Sequence, residues 1–280
     1  LKSGNAVILR GSSYCLDSNI AILEVLQNAL ISNNCNKNIF QIIESKDRQD
    51  TLEFINLTEY VDLIVPRGGK GLIQTLVDNS KVPFILDGDG NVHLYIHGDA
   101  KKENIIDIVI NSKVQRPGVC NALETLLMNN EIYQDMGNEV IEALLENGVE
   151  LYVDEKIRED FPNLNLANEL HYETEFLDLK LAIKLVDNVD EAIDHIKKYS
   201  SGHTEAILTE SNEVSETFAK SIDSSVIFIN SSTRFTDGEM FGFGSEIGIS
   251  TQKLHVRGPM GLEALTNERY VVTGEGTVRG

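Results

Sequence analysis

The chain has 280 residues, with 44 acidic against 24 basic side chains and a formal charge of −20; folding at that length removes roughly three quarters of the unfolded chain's surface from water, so one large or two modest domains form without staples. The negative excess repels phosphate backbones and excludes general nucleic-acid binding. Three cysteines, Cys15, Cys35 and Cys120, argue against a disulfide framework, and with no run of eighteen apolar residues and no signal peptide the expectation is a soluble cytoplasmic protein with no membrane partner.

The chain begins at Leu1 with an apolar strand, NAVILR at 5 to 10, and no element before it, which reads as a start inside a domain. A helix follows over 18 to 31, with Ile20, Leu23, Leu26, Ala29 and Leu30 at helical spacing and Asp17 or Ser18 as cap. Next come FQII at 40 to 43 as strand, DRQDTLEFI as helix, VDLIVP at 61 to 66 as strand, GKGLIQTLVDN as helix and VPFIL at 82 to 86 as strand. Apolar strands alternating with helices mean a parallel sheet covered on both faces, with ligands taken outside the strands' carboxyl ends. Those ends carry RGSS at 10 to 13 and PRGGKG at 66 to 71. Each is either an ordinary strand-to-helix turn or a contact for a phosphate-bearing cofactor; neither is a dinucleotide fingerprint or a P-loop.

Past Gly88 and Gly90, VHLYI at 92 to 96 reads as strand and Lys102 to Lys113 as helix. A second set of alternating elements has a helix over 132 to 147, VELYV at 149 to 153, a polar surface excursion over 154 to 172, LDLKLAIKLV at 177 to 186, a helix at 189 to 199, EAILT at 205 to 209, a helix at 212 to 221 and SVIFIN at 225 to 230. A glycine-rich stretch from Ser231 ends in a terminal strand, ERYVVTGEGTV, whose lack of a hairpin partner invites pairing with another copy.

Cys120 lies in QRPGVCNALETLL, residues 115 to 127, where Pro117 and Gly118 make a turn into a helix running to Asn129. A thiol at a helix N-terminus, with Arg116 beside it, is biased toward thiolate, and the same N–H groups suit an oxyanion. The equal alternative is a small packing residue. Two lobes meeting near Cys120 would place it in a cleft between them. His93, in a strand, is a conceivable partner for the thiol and more simply a packed histidine. No metal site is expected, since no H-x-x-x-H or C-x-x-C spacing occurs, and G-x-S-x-G is absent. Arg10, Arg67, Arg116, Arg234 and Arg257 each adjoin Gly, Pro, Ser or Thr, as anion contacts do and as ordinary loop arginines also do.

Four segments in order, PRGG after an apolar strand, QRPGVCNALETLL, SSTRFTDG and STQKLHVRGPMGLEAL, closely resemble the gamma-glutamyl phosphate reductase (glutamate-5-semialdehyde dehydrogenase) family of the aldehyde dehydrogenase superfamily. The resemblance runs from Leu1 to the tail. It implies an α/β fold of two lobes with parallel-type sheets, divided as 1–98 (the C-terminal part of an NADPH-binding domain), 99–245 (the catalytic cysteine domain) and 246–280 (a return segment and oligomerisation strand). Family members carry further chain before the position matched by Leu1, including the first strand of the cofactor sheet, so the resemblance also implies that the N-terminal part of the fold is missing and a sheet edge exposed.

The activity so implied is NADPH-dependent reduction of L-glutamyl 5-phosphate to L-glutamate 5-semialdehyde in proline biosynthesis: Cys120 attacks the acyl carbon, phosphate leaves, and hydride reduces the thioester. The family's positions place the cofactor at Arg10, Ser12, Ser13, Pro66, Arg67, Gly68, Gly69 and Glu175, and the substrate at Arg116, Asn121, Ser231, Arg234 and Thr236, with Arg234 pairing the α-carboxylate. The general-base glutamate of hydrolytic aldehyde dehydrogenases falls at about Leu86, with Asp87 adjacent. Two other readings stay open: another acylating aldehyde dehydrogenase using coenzyme A or a different acyl phosphate, and a non-catalytic fragment that folds and assembles into a homo-oligomer.

Overall fold

The computed structural model describes residues 1–254 and 256–280, with Lys70 by its backbone alone; His255, within the STQKLHVRGPMG run, lies outside the described residues. The chain divides into two compact units, one of Leu1–Ile64, Gly68–Phe84 and Gly261–Gly280, the other of Val65–Arg67 and Ile85–Met260. The second unit therefore begins at Ile85, ahead of the boundary expected between residues 98 and 99, because the strand at 92–96 belongs to its sheet.

In the first unit β1 (Val7–Leu9) precedes a short 3₁₀ turn at Ser13–Cys15, which leads into α1 (Leu16–Ser32). That helix starts earlier than Asp17 or Ser18 would allow as caps, and its N-cap Cys15 makes no side-chain capping bond. β2 (Phe40–Ile42) pairs in parallel with β1, Val7 opposite Phe40 and Leu9 opposite Ile42. Gln27 Nε2 donates to the Phe40 carbonyl at 2.8 Å, tying α1 to β2. α2 (Arg48–Phe54) is capped by Asp47 and α3 (Lys70–Asn79) by Gly69. The strands expected at 61 to 66 and 82 to 86 reduce to one bridge, Ile64 to Phe84. The expected terminal strand also does not form: Tyr270, Val271 and Val272 stand exposed, without strand pairing.

The second unit is built on a seven-stranded sheet. In chain order its elements are β3 (Val92–Ile96), α4 (Lys102–Val114), β4 (Leu123–Asn129), α5 (Asn130–Glu146), β5 (Glu150–Val153), α6 (Glu155–Asp160), β6 (Asn165–Leu166), α7 (Glu169–Glu173), β7 (Lys180–Val186), α8 (Val189–Tyr199), β8 (Thr204–Leu208), α9 (Asn212–Ser221) and β9 (Val226–Ile229). Strand order is β6-β5-β7-β4-β3-β8-β9, every pairing parallel, so the expected α/β class holds. The polar stretch 154 to 172 supplies α6, α7 and edge strand β6 rather than a bare surface loop.

Alternation within the central strands explains the two cores. Leu94 and Ile96 of β3 and Leu126 and Met128 of β4 face α4 and α5, packing on Ile105, Val109, Ile141 and Leu144. Tyr95 and Leu127 face the other way, onto Ala192, Ile196 and Phe218 of α8 and α9. Every residue of β3 and of β4 is buried, as parallel strands between helix layers must be. A small antiparallel pair, β10 (Ile249–Ser250) and β11 (Gly258–Pro259), closes the unit.

Candidate active site around Cys120

The helix expected to begin at Cys120 is absent. Leu123–Asn129 is strand β4, and Cys120 sits on a turn before it, closed by Ala122 N–H donating to the Val119 carbonyl at 3.0 Å. A short run such as LETLLMN, mixing Leu and Met with Glu, Thr and Asn, reads equally as strand or short helix, and here the flanking strands β3 and β7 decide the matter. Activation by a helix terminus is lost with the helix. The thiol is in fact pushed up to about 11, first by burial, then by the carboxylates of Glu175 and Glu246. Arg67 and Arg234, not Arg116, are the cations that counteract them.

The turn is fitted against its neighbours at Gly90. A Cβ there would stand 1.6 Å from the Cys120 carbonyl oxygen, so no side chain is tolerated while that turn stays in place. Gly90 N–H donates to Glu175 Oε1 at 2.7 Å, which brings that carboxylate to the thiol's surroundings.

Arg67 is held by residues that reading the sequence passed over. Its Nη1 pairs with Asp87 Oδ2 and its Nη2 donates to the Ile247 carbonyl at 2.6 Å. The other oxygen of Asp87, Oδ1, accepts from Ile249 N–H at 2.9 Å. Both oxygens of the one carboxylate near the hydrolytic base position are thus engaged. Gly248 makes this packing possible, since a Cβ on it would lie 2.9 Å from Asp87 Oδ1 and 3.0 Å from Arg67 Nη2.

The 231–236 loop is locked to the cysteine turn by Asn121. Its Nδ2 donates to the Thr236 carbonyl at 2.8 Å, and its own carbonyl accepts from Thr233 Oγ1 at 2.8 Å. Asn121 is buried and braces the loop through these two bonds, while its side-chain Oδ1 is enclosed without a hydrogen-bond partner. Thr236 is braced too, its fully buried hydroxyl pairing with Thr204 Oγ1 at 2.9 Å. Ser231 is partly open. Arg234 Nε donates to Gln115 Oε1 at 2.7 Å. Burial and then the charge of Arg116 hold the Arg234 guanidinium below its ordinary range, while Cys120 and Asp237 pull the other way. Two guanidinium groups close enough to repel, one of them sensing the thiol, make a place for an anion.

His93 is not a partner for this thiol. It is fully enclosed in β3, with Nδ1 3.2 Å from Glu205 Oε2 and its ring edge-on to His195. Among the described residues no group of three His, Cys, Asp or Glu is placed to hold a metal ion, and no helix is long and apolar enough to cross a membrane.

The remaining expected cofactor residues belong to the first unit, except buried Pro66, which stands next to Arg67. Arg10 is exposed just after β1, and Ser12 Oγ accepts from Tyr14 N–H at 3.3 Å, capping the 3₁₀ turn that contains Ser13. At the start of α3, Gly69 and Gly71 have open space where a Cβ would point. That helix has neither a capping side chain nor an acid in its first turn. Its N–H groups and dipole suit a diphosphate, so the residues present fit a nicotinamide dinucleotide.

A parallel sheet layered by helices, with a cysteine turn at the amino end of a central strand, is the architecture of the aldehyde dehydrogenases. An acetylating aldehyde dehydrogenase from Geobacillus thermoglucosidasius shares it at a TM-score of 0.73 and 18% identity, covering 99% of this chain and 70% of that one. Sequence narrows the class. Gamma-glutamyl phosphate reductase from Thermoanaerobacter pseudethanolicus is 49% identical over 279 residues, covering 100% of this chain and 67% of the relative. The Thermotoga maritima structure of the same name matches at a TM-score of 0.95 and 47% identity, over 99% of this chain and 67% of that one. No family model matches the chain. The chain belongs to the gamma-glutamyl phosphate reductase family and spans 67% of the length of those relatives.

Proposed function

We propose that the chain catalyses NADPH-dependent reduction of L-glutamyl 5-phosphate to L-glutamate 5-semialdehyde and phosphate, the reductive step of proline biosynthesis, through a thioester on Cys120. The observation that carries this reading is the cysteine turn itself: a thiol flanked by Glu175 and Glu246 and coupled to the guanidinium of Arg234, in a chain 49% identical to a gamma-glutamyl phosphate reductase.

Cys120 Sγ forms a bond to the acyl carbon, and the C–O bond to phosphate breaks with its electron pair leaving on phosphate. The thiol must give up its proton as the sulfur attacks, and the carboxylates of Glu175 and Glu246 oppose its ionisation before substrate binds. Arg116 and Arg234 hold the anionic ends of the substrate; one pairs the α-carboxylate and the other offsets charge on the leaving phosphate. Gly68, Gly69 and the start of α3 would hold the diphosphate of a nicotinamide cofactor, and Arg10, with Ser12 and Ser13 in its loop, an added phosphate; when bound, that cofactor would supply the hydride for reduction of the thioester.

Asp87 is poorly suited to activate water against the acyl group: with Oδ2 paired to the Arg67 guanidinium and Oδ1 accepting from Ile249 N–H, it is a held, charge-paired carboxylate and a weakened base. A thioester that waits for hydride needs that arrangement. Assembly into a homo-oligomer through exposed Tyr270, Val271 and Val272 belongs to the same reading.

Supplying glutamate 5-semialdehyde, NADP and inorganic phosphate tests the proposal by running the reaction backwards. NADPH absorbance should appear, and replacing phosphate with coenzyme A should abolish it. Equal rates with coenzyme A would assign the chain to another acylating aldehyde dehydrogenase.

A further inference from the structure

Glu124 is a charge inside an apolar strand, four residues after the cysteine. It and Lys113, in the last turn of α4, are both fully enclosed, with Nζ 2.8 Å from Oε2. A buried ion pair is weak as a stabilising device, since well-packed hydrophobic residues of similar volume often replace one without loss. The second oxygen shows what else the pair holds. Oε1 accepts from the N–H of Leu177 at 3.1 Å.

Leu177 has a φ of 52°, in the left-handed region that a branched side chain avoids. Two residues before it stands Glu175, bonded to Gly90 N–H at 2.7 Å. The Leu177 carbonyl lies against the cysteine turn, 3.5 Å from where a Cβ on Gly118 would stand. The segment from 175 to 177 is thus held at one end by Gly90 and at the other by Glu124, with the Cys120 turn packed on both Gly90 and Leu177.

We propose that Lys113 and Glu124 are positioning residues: by holding Leu177 in its left-handed conformation they fix where the Glu175 carboxylate stands beside Cys120, and thereby set the reactivity of that sulfur. The charged groups facing the thiol are Glu175, Glu246, Arg67 and Arg234, and Glu175 is the strongest of the charges acting on it. Those facing the pair are Glu175, on Glu124, and Asp178, on Lys113. Burial pushes Glu124 up to about 7 against the opposing pull of Lys113. The catalytic importance of this device rests on the reading of Cys120 as the reacting thiol. The linkage itself does not, because alkylation reports the sulfur without turnover.

The test compares two neutral replacements of the pair. Lys113→Met with Glu124→Gln keeps an acceptor for Leu177 N–H, whereas Lys113→Met with Glu124→Leu removes it. Alkylation of Cys120 by iodoacetamide is followed peptide by peptide from pH 7 to 11. The Gln version should stay within about twofold of the parent throughout. The Leu version should react at least about threefold faster at pH 8, its profile moved to lower pH because the carboxylate of Glu175 is no longer held at the thiol. Adding Leu177→Gly to the Leu version should restore the parent profile, since glycine takes that φ unaided. Identical profiles in the parent and both double variants overturn the proposal, as does an equal shift in both variants. If the Leu version does not fold, Leu177→Gly must restore its circular dichroism; failure to do so also overturns it.

Discussion

Strands β4 and β1 are both short segments rich in apolar residues, yet they end in opposite environments. All seven residues of Leu123–Asn129 are buried between two helix layers, whereas none of Val7–Leu9 is, and Ile8 and Leu9 are 38% and 44% exposed. In the same way α5 hides Ile132, Val140, Ile141 and Leu144, while α1 leaves Ile22, Val25 and Ile31 more than half exposed. An apolar run states that a segment needs cover; it does not state what covers it. The second unit supplies that cover itself, through parallel strands on both sides of β4 and helices on both faces.

The largest effect that would sharpen this contrast is on stability. Leu126→Ala, at a fully enclosed position facing α4 and α5, should cost about 2–5 kcal/mol in urea unfolding. Leu23→Ala, on a helix that packs on a two-stranded pair, should cost about half as much or less; equal losses would break the contrast. Next, Gly90→Ala forces a Cβ onto the Cys120 carbonyl. We expect a loss of about 1–3 kcal/mol together with altered Cys120 alkylation, and an unchanged alkylation rate would show that the turn is not held there. The smallest effect concerns pH. With the thiol raised to about 11, the thiolate fraction at pH 8 is roughly 10⁻³, so Cys120 alkylation should climb steadily from pH 8 to beyond 10. The raised value also means that Cys120 contributes stability below its ordinary range, and that this contribution is lost as pH rises toward 11. A profile that levels off near pH 8 would place the carboxylates elsewhere.

Much of the second unit was legible in the residues. VHLYI, the helix from Asn212 to Ser221 and the all-parallel sheet follow from period and length, because each element buries its own pattern. NALETLLMN was misread because its mixture of Leu and Met with Glu, Thr and Asn suits a helix as well as a strand. The one clue was Glu124, a lone acid in that run, which needs a partner such as Lys113. VDLIVP and VPFIL failed differently, since their composition suits a strand but only Ile64 and Phe84 bridge.

Within the candidate site, Cys120 and Arg234 stand out through their motifs. The partners of Asp87, Glu246 and Gly90 were not legible, because nothing local in DGDG or GSEIG shows which distant group each will meet. Asn121 and Thr236 sit in the same motifs, and hydrogen bonds that no motif displays make each of them a brace. Motifs locate a site more dependably than they divide its labour.

The most direct test of the central claim is the rate of NADPH formation from glutamate 5-semialdehyde, phosphate and NADP by Cys120→Ser beside the unaltered protein, both shown to be folded. Loss of at least about 10³-fold is expected, since a serine hydroxyl at that turn is a far weaker nucleophile. A serine variant that keeps its rate would contradict the assignment of Cys120 as the residue that carries the acyl group.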